Sequence, residues 1–155
     1  MKEGERASNF KLRDGEGEKH ELEKIDSKYT VLFFYPKDNT PGCAMHAKMF
    51  SDDMEEYEKM NASIYGISGG DEKAKASFAS KNDINIKLLA DVNNDVSKNY
   101  GVYGEKSFMG RKYMGITRTT FLLDENKNLL KRFENIKPAE HSKQVLDFLE
   151  KRENE

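Results

Sequence analysis

The chain has one cysteine in 155 residues, Cys43, and that scarcity excludes two architectures at once. A lone thiol cannot build an intramolecular disulfide framework, nor can it supply a cysteine-based zinc site. An unpaired cysteine is most at home in a reducing compartment, so the cytoplasm is the expected location. The chain also lacks any apolar run long enough to span a bilayer and any signal-peptide core, so neither insertion nor export is expected. No block of one charge sign stands out: 26 basic and 28 acidic side chains are interspersed and give a formal net charge of −2. That pattern argues against a nucleic-acid footprint and against a polybasic membrane patch. Internal repeats, low-complexity tracts and linkers are missing too. The expectation is one domain over residues 1–155, a size that buries roughly 68–70% of its unfolded surface without staples.

What is present alternates between two periodicities. Phe10 and Leu12 alternate before Asp14-Gly15-Glu16-Gly17, which predicts a small N-terminal β-hairpin. Thr30–Tyr35 is β-branched and aromatic and reads as a buried strand. A long helix is expected from Pro41 to about Met60, because Cys43, Ala47, Phe50, Met54 and Tyr57 step by four and three along one face. Ile64–Ser68 reads as a strand, Asp71 starts a helix through Phe78, and Lys87–Ala90 reads as a short strand before a helix over Val92–Tyr100. Thr117–Leu123 and Leu129–Phe133 flank a turn, and Pro138–Lys151 forms a last helix with Val145, Leu146 and Leu149 facing inward. The alternation predicts a layered α/β domain with a mixed central sheet flanked by helices.

Cys43 sits where the first long strand gives way to the long helix. Pro36-Lys37-Asp38-Asn39 breaks the strand, and Thr40 followed by Pro41 reads as an N-cap with proline in the first turn. Unpaired N–H groups and the positive end of the helix dipole favour an anion there, hence a thiolate. The apolar stripe leaves Cys43 half covered. Arg118 falls on the strand face shared by Ile116, Thr120 and Leu122, and a guanidinium there requires an anionic or strong acceptor partner. Each residue has a plainer reading as well. A lone cysteine is more often a small buried hydrophobe; Thr40 serves as an N-cap and Pro36 as a strand terminator. Tyr35 is mostly core, with the wall of a site as its alternative. His141, near the start of the last helix, reads as structural, and His20 carries no signal.

Pro36-x-x-x-Thr40-x-x-Cys43 resembles the active-site motif of peroxiredoxins, and Thr40-Pro41-Gly42-Cys43 resembles the bacterioferritin-comigratory-protein (PrxQ) branch. The strings Tyr65–Ser68, Leu88–Asp91, Tyr100–Lys106, Gly115–Leu122 and Lys137-Pro138 with His141 fall in that family's order, so the resemblance covers nearly the whole chain. It implies a thioredoxin-like fold and thiol peroxidase activity with neither cofactor nor metal. Cys43 would be the peroxidatic residue, Pro36 its shield, and Thr40 a hydroxyl bonded to thiolate and peroxide. The N–H groups of Gly42 and Cys43 would be donors, Arg118 a fixed positive charge, and Tyr35 and Gly42 the lining of the substrate path. The substrates implied are hydrogen peroxide and small organic hydroperoxides, and the branch implies a monomer or weak homodimer.

Two departures from the family pattern matter. Lys48 stands where many members carry a resolving cysteine, so a sulfenic acid on Cys43 needs an external thiol, from a thioredoxin-like protein or a small molecule. His46 stands where the family usually has a glutamate, one helical turn from Cys43 and on a neighbouring face. A neutral imidazole there accepts a hydrogen bond from Arg118, whereas a protonated one repels it and activity falls in acid. Two other readings compete with the peroxidase: a redox sensor that passes oxidation on by mixed disulfide, and a thioredoxin-like binding module with an inert thiol.

Overall fold

The computed structural model describes residues 1–155. The first half runs β1 (Lys11–Asp14), β2 (Lys19–Glu21), β3 (Tyr29–Phe34), α1 (Pro41–Asp52), α2 (Met54–Lys59), β4 (Ala62–Ser68) and α3 (Glu72–Asn82). The second runs β5 (Lys87–Ala90), α4 (Asp95–Asn99), β6 (Tyr103–Phe108), β7 (Arg111–Ile116), β8 (Thr119–Leu123), β9 (Leu129–Phe133) and α5 (His141–Glu153).

Seven strands form one mixed sheet in the order β2-β1-β5-β4-β3-β8-β9. β3 lies in the sheet's interior: all six of its residues are buried, and a strand apolar on both sides needs cover on both faces. It pairs in parallel with β4 and antiparallel with β8, while β4 pairs in parallel with β5. Strand alternation sends Val31 and Phe33 to one face and Leu32 and Phe34 to the other. Phe50, Tyr57, Phe78, Val145 and Leu149 cover the first face from the helices. Phe10, Leu22, Tyr100 and Ile116 cover the second together with Phe121 of β8. Each such side chain contributes about 1.5–3 kcal/mol of burial free energy. Cys43 packs within the first cluster, so the helix that carries it is seated by the apolar stripe. No helix is long and apolar enough to cross a membrane.

The expected N-terminal hairpin is present, with Lys11 opposite Glu21. The expected helix from Pro41 to Met60 is two helices. Asp53 breaks it with φ −95° and ψ 8°, and its carboxylate accepts the Ser142 hydroxyl at 2.7 Å. The Tyr57 hydroxyl donates to the Ser142 carbonyl at 2.7 Å, so the break is tied to α5. The expected helix over Val92–Tyr100 is shorter, Asp95–Asn99, and the last helix begins at His141, after a turn that holds Pro138. The β6–β7 hairpin has no counterpart among the expected elements. It stands apart from the main sheet, and Met109 and Gly110 turn its tip at φ 51° and 80°. The strand expected from Thr117 starts at Thr119, which leaves Thr117 and Arg118 in the link between β7 and β8.

Candidate active site

β3 ends against the sheet's parallel neighbour, the chain turns through Pro36–Thr40, and α1 begins at Pro41 with Cys43 in its first turn. The first intrahelical bond of α1 runs from the Ala44 N–H to the Thr40 carbonyl at 2.9 Å. The N–H groups of Gly42 and Cys43 precede it and are the orphan donors of a helix start. Thr40 has the extended backbone of an N-cap, φ −101° and ψ 146°, but its side chain caps nothing. Its hydroxyl donates to the Lys37 carbonyl at 3.1 Å, so the expected bond from Thr40 to the sulfur is not formed. Those orphan donors thus stay available to a ligand.

Cys43 is 1% exposed, more deeply covered than the half-covered position its sequence suggests. Arg118 reaches it from the β7–β8 link, with Nη2 donating to Sγ at 3.1 Å. The expectation that Arg118 lies on a strand face is corrected: the link frees the guanidinium from the sheet's alternation and turns it onto α1. The other terminal nitrogen, Nη1, is 2.9 Å from His46 Nδ1. Arginine is a permanent donor, so Nδ1 accepts and the proton of His46 is on Nε2. That Nε2 is buried without a hydrogen-bond partner.

Burial first, then the charges of His141 and Arg118, lowers the His46 pKa from 6.5 to about 2. His46 is therefore a neutral acceptor throughout the working pH range. The acid-induced repulsion expected from a protonated His46 does not arise there. His46 is also fully buried: its ring centroid lies 4.8 Å from Phe33, 5.3 Å from Phe50 and 5.1 Å from His141. His141 bonds Thr120 Oγ1 at 2.8 Å and Gln144 at 3.0 Å. Burial chiefly lowers its pKa to about 4.

Cys43, Arg118 and His46 converge with Gly42, where an added Cβ would lie 3.6 Å from Arg118 Nη2 and 4.0 Å from Pro138 Cγ. The missing side chain at Gly42 keeps open the approach to the guanidinium. Pro36 is half-buried at the start of the loop. Tyr35 does not line this approach. It is fully buried, and its hydroxyl donates to Asp38 at 2.7 Å.

Three residues near the site have no assigned role in the sequence reading. Lys106, on β6, donates to the Ile116 carbonyl at 2.9 Å. Burial and the charge of Arg118 lower its pKa, while Cys43 pulls it back. Asp38 and Lys75 form a buried ion pair at 2.7 Å beneath the loop. Lys75 precedes the core residue Phe78 by three, and a lysine on an inward stripe is the signal that marks it. Away from this site, Asp14, Glu18 and His20 bring ligand atoms within 4.8 Å of one another. Asp14 is already engaged there by His20 and by the N–H groups of Glu16 and Glu18.

Residues 4–132 match the AhpC/TSA family. A curated protein from Helicobacter pylori, putative peroxiredoxin bcp, is 38% identical over 146 residues that cover 94% of this chain and 96% of its own. The crystal structure of a cysteine-to-serine mutant of Xylella fastidiosa PrxQ superposes with a TM-score of 0.92, at 28% identity, over 98% of this chain and 97% of that one. The bacterioferritin comigratory protein of Xanthomonas campestris, studied for alkyl peroxide reduction, superposes at 0.86 with 29% identity, covering 92% and 91%.

Proposed function

The chain belongs to the AhpC/TSA family and is a one-cysteine peroxiredoxin of the Bcp/PrxQ type with a thioredoxin-like fold; from that premise we propose how its residues divide the work. The observation that carries the reading is the bond from the Arg118 guanidinium to the sulfur of a helix-start cysteine.

The Cys43 thiolate attacks one oxygen of a hydroperoxide. The O–O bond breaks, sulfur loses two electrons, and the leaving oxygen takes a proton to depart as water or an alcohol. Cys43 is left as sulfenic acid. Arg118 and the N–H groups of Gly42 and Cys43 are donors aimed where negative charge moves between the two oxygens. The Thr40 hydroxyl, one turn away, exchanges the Lys37 carbonyl for a peroxide oxygen, and Pro36 keeps water from the sulfur. Hydrogen peroxide and small organic hydroperoxides are the substrates, in keeping with the alkyl peroxide chemistry of the Xanthomonas relative.

Lys48, paired with Asp52 at 3.2 Å, stands where a resolver would be. An external thiol therefore attacks the sulfenic acid, water leaves, and a mixed disulfide forms. A second thiol releases Cys43 and carries away the disulfide. A thioredoxin-like protein or a low-molecular-weight thiol fills this role, and a reducing compartment, the cytoplasm, suits a lone thiol. The resemblance to the PrxQ branch is what suggests a monomer or weak homodimer as the working unit.

Purified Cys43→Ser is expected to lose peroxide consumption, and equal consumption by variant and wild type would end this reading. The solitude of Cys43 also favours a sensor that hands its oxidation to a partner. Steady-state turnover with thioredoxin or glutathione separates the two, since a single stoichiometric burst marks the sensor.

A further inference from the structure

Lys75 is fully buried, and an ammonium cut off from water is costly unless its protons find acceptors. All three do. Nζ donates to Asp38 Oδ2 at 2.7 Å, to Ser68 Oγ at 2.7 Å and to the Gly69 carbonyl at 2.5 Å. The second oxygen of Asp38 accepts the Tyr35 hydroxyl at 2.7 Å, and Nζ lies 5.6 Å over the Tyr35 ring. The network joins α3 and the end of β4 to the loop that delivers Cys43.

That loop has little else to hold it. Its remaining side-chain bond, Thr40 to Lys37, is internal to it. Asn39 turns the loop at φ 61°, a left-handed conformation that asparagine tolerates and that does not itself anchor the loop. Cys43 is 1% exposed, so a thiol bulkier than a peroxide reaches its sulfur only after the loop and first turn of α1 move aside. Moving the loop breaks the buried pair.

We propose that Lys75 is a positioning residue: through Asp38 it latches the Pro36–Thr40 loop over Cys43, which speeds the peroxide step and slows the attack of an external thiol. The inference rests on the peroxidase reading above. It assigns Lys75 opposite effects on the two half-reactions.

The test measures the two half-reactions separately, oxidation of the reduced protein by hydrogen peroxide and reduction of the oxidised protein by dithiothreitol, followed by intact mass. Lys75→Met removes the latch but strands a buried carboxylate. The double variant with Asp38→Asn removes both charges, and Tyr35→Phe weakens the network with the ion pair intact. Lys75→Met and the double variant are expected to slow the peroxide step and quicken the thiol step by about tenfold each, the scale of one charge-assisted bond. Tyr35→Phe moves both rates in the same directions by a smaller factor, and it alone decides the matter should the other two not fold. Leu129→Ala, in the opposite core cluster, is the matched control: it lowers thermal stability and leaves the ratio of the two rates unchanged. Wild-type rates in the variants, or a parallel fall in both, would overturn the latch. A wild-type protein that consumes no peroxide would overturn the peroxidase reading instead.

Discussion

Arg118 divides its terminal nitrogens between a sulfur and an imidazole, Nη2 at 3.1 Å from Cys43 Sγ and Nη1 at 2.9 Å from His46 Nδ1. It takes part in none of the ion pairs to carboxylates seen elsewhere in the molecule, so its charge is not cancelled by a neighbouring anion before the thiolate forms. A neutral histidine orients the guanidinium without neutralising it. Lysine carries the same charge on a single nitrogen and cannot span both partners in a fixed fork. Arg118→Lys is therefore expected to lower the second-order rate with hydrogen peroxide by roughly 10–100-fold, and Arg118→Ala by about 100–1,000-fold, the range for losing a preorganised donor. Stopped-flow competition for peroxide reads both, and a lysine variant at the wild-type rate would show that charge alone suffices.

At the scale of elements, the site depends on how neighbouring strands pack beneath it. Gly66 lies in β4 opposite Phe33 on one side and Leu88 on the other. A Cβ there would come within 2.6 Å of Phe33 Cζ and 2.9 Å of Leu88 Cδ2. Phe33 in turn stacks on Phe50 and lies against His46, each at 4.8 Å between centroids. Gly66→Ala is expected to destabilise the fold by about 1–3 kcal/mol through overpacking. It should also slow the peroxide step several-fold, since the displaced ring presses on the histidine that orients Arg118. A lower urea midpoint with unchanged m-value checks the first effect. The same elements show what the sequence reveals. β3 and β4 are legible because their apolar runs are local facts, and Cys43 because strand, break and helix start follow one another within nine residues. β6 and β7 are hidden because Gly104-Glu105-Lys106-Ser107 has neither β-propensity nor an apolar face. The break at Asp53 is hidden because its partner, Ser142, is 89 residues away. The Lys75–Asp38 pair spans 37 residues for the same reason, so only the packed fold brings it together.

For the molecule as a whole, the two buried histidines set an acid limit on stability that is separate from the chemistry. Both have an ordinary value of 6.5, and folding lowers it to about 2 for His46 and about 4 for His141, burial being the largest cause in each. The unfolded chain therefore takes up protons that the folded chain refuses. A depressed pKa contributes stability that is fully present above 6.5 and is lost as pH falls towards the folded value. Each histidine costs ~1.4 kcal/mol per pH unit inside that window, or roughly 2 kcal/mol between pH 7 and pH 5. Urea unfolding at the two pH values is expected to show a loss of about 4 kcal/mol from the pair, and His141→Gln about half of it. Folded His46 remains neutral at pH 5, so its bond with Arg118 is intact in whatever fraction is native. Acid should thus unfold the protein before it disarms the site, and the peroxide rate per folded molecule should show no titration that His46→Gln removes. A His46-linked fall in that rate at a pH where the protein is still fully folded would contradict the neutral-acceptor assignment.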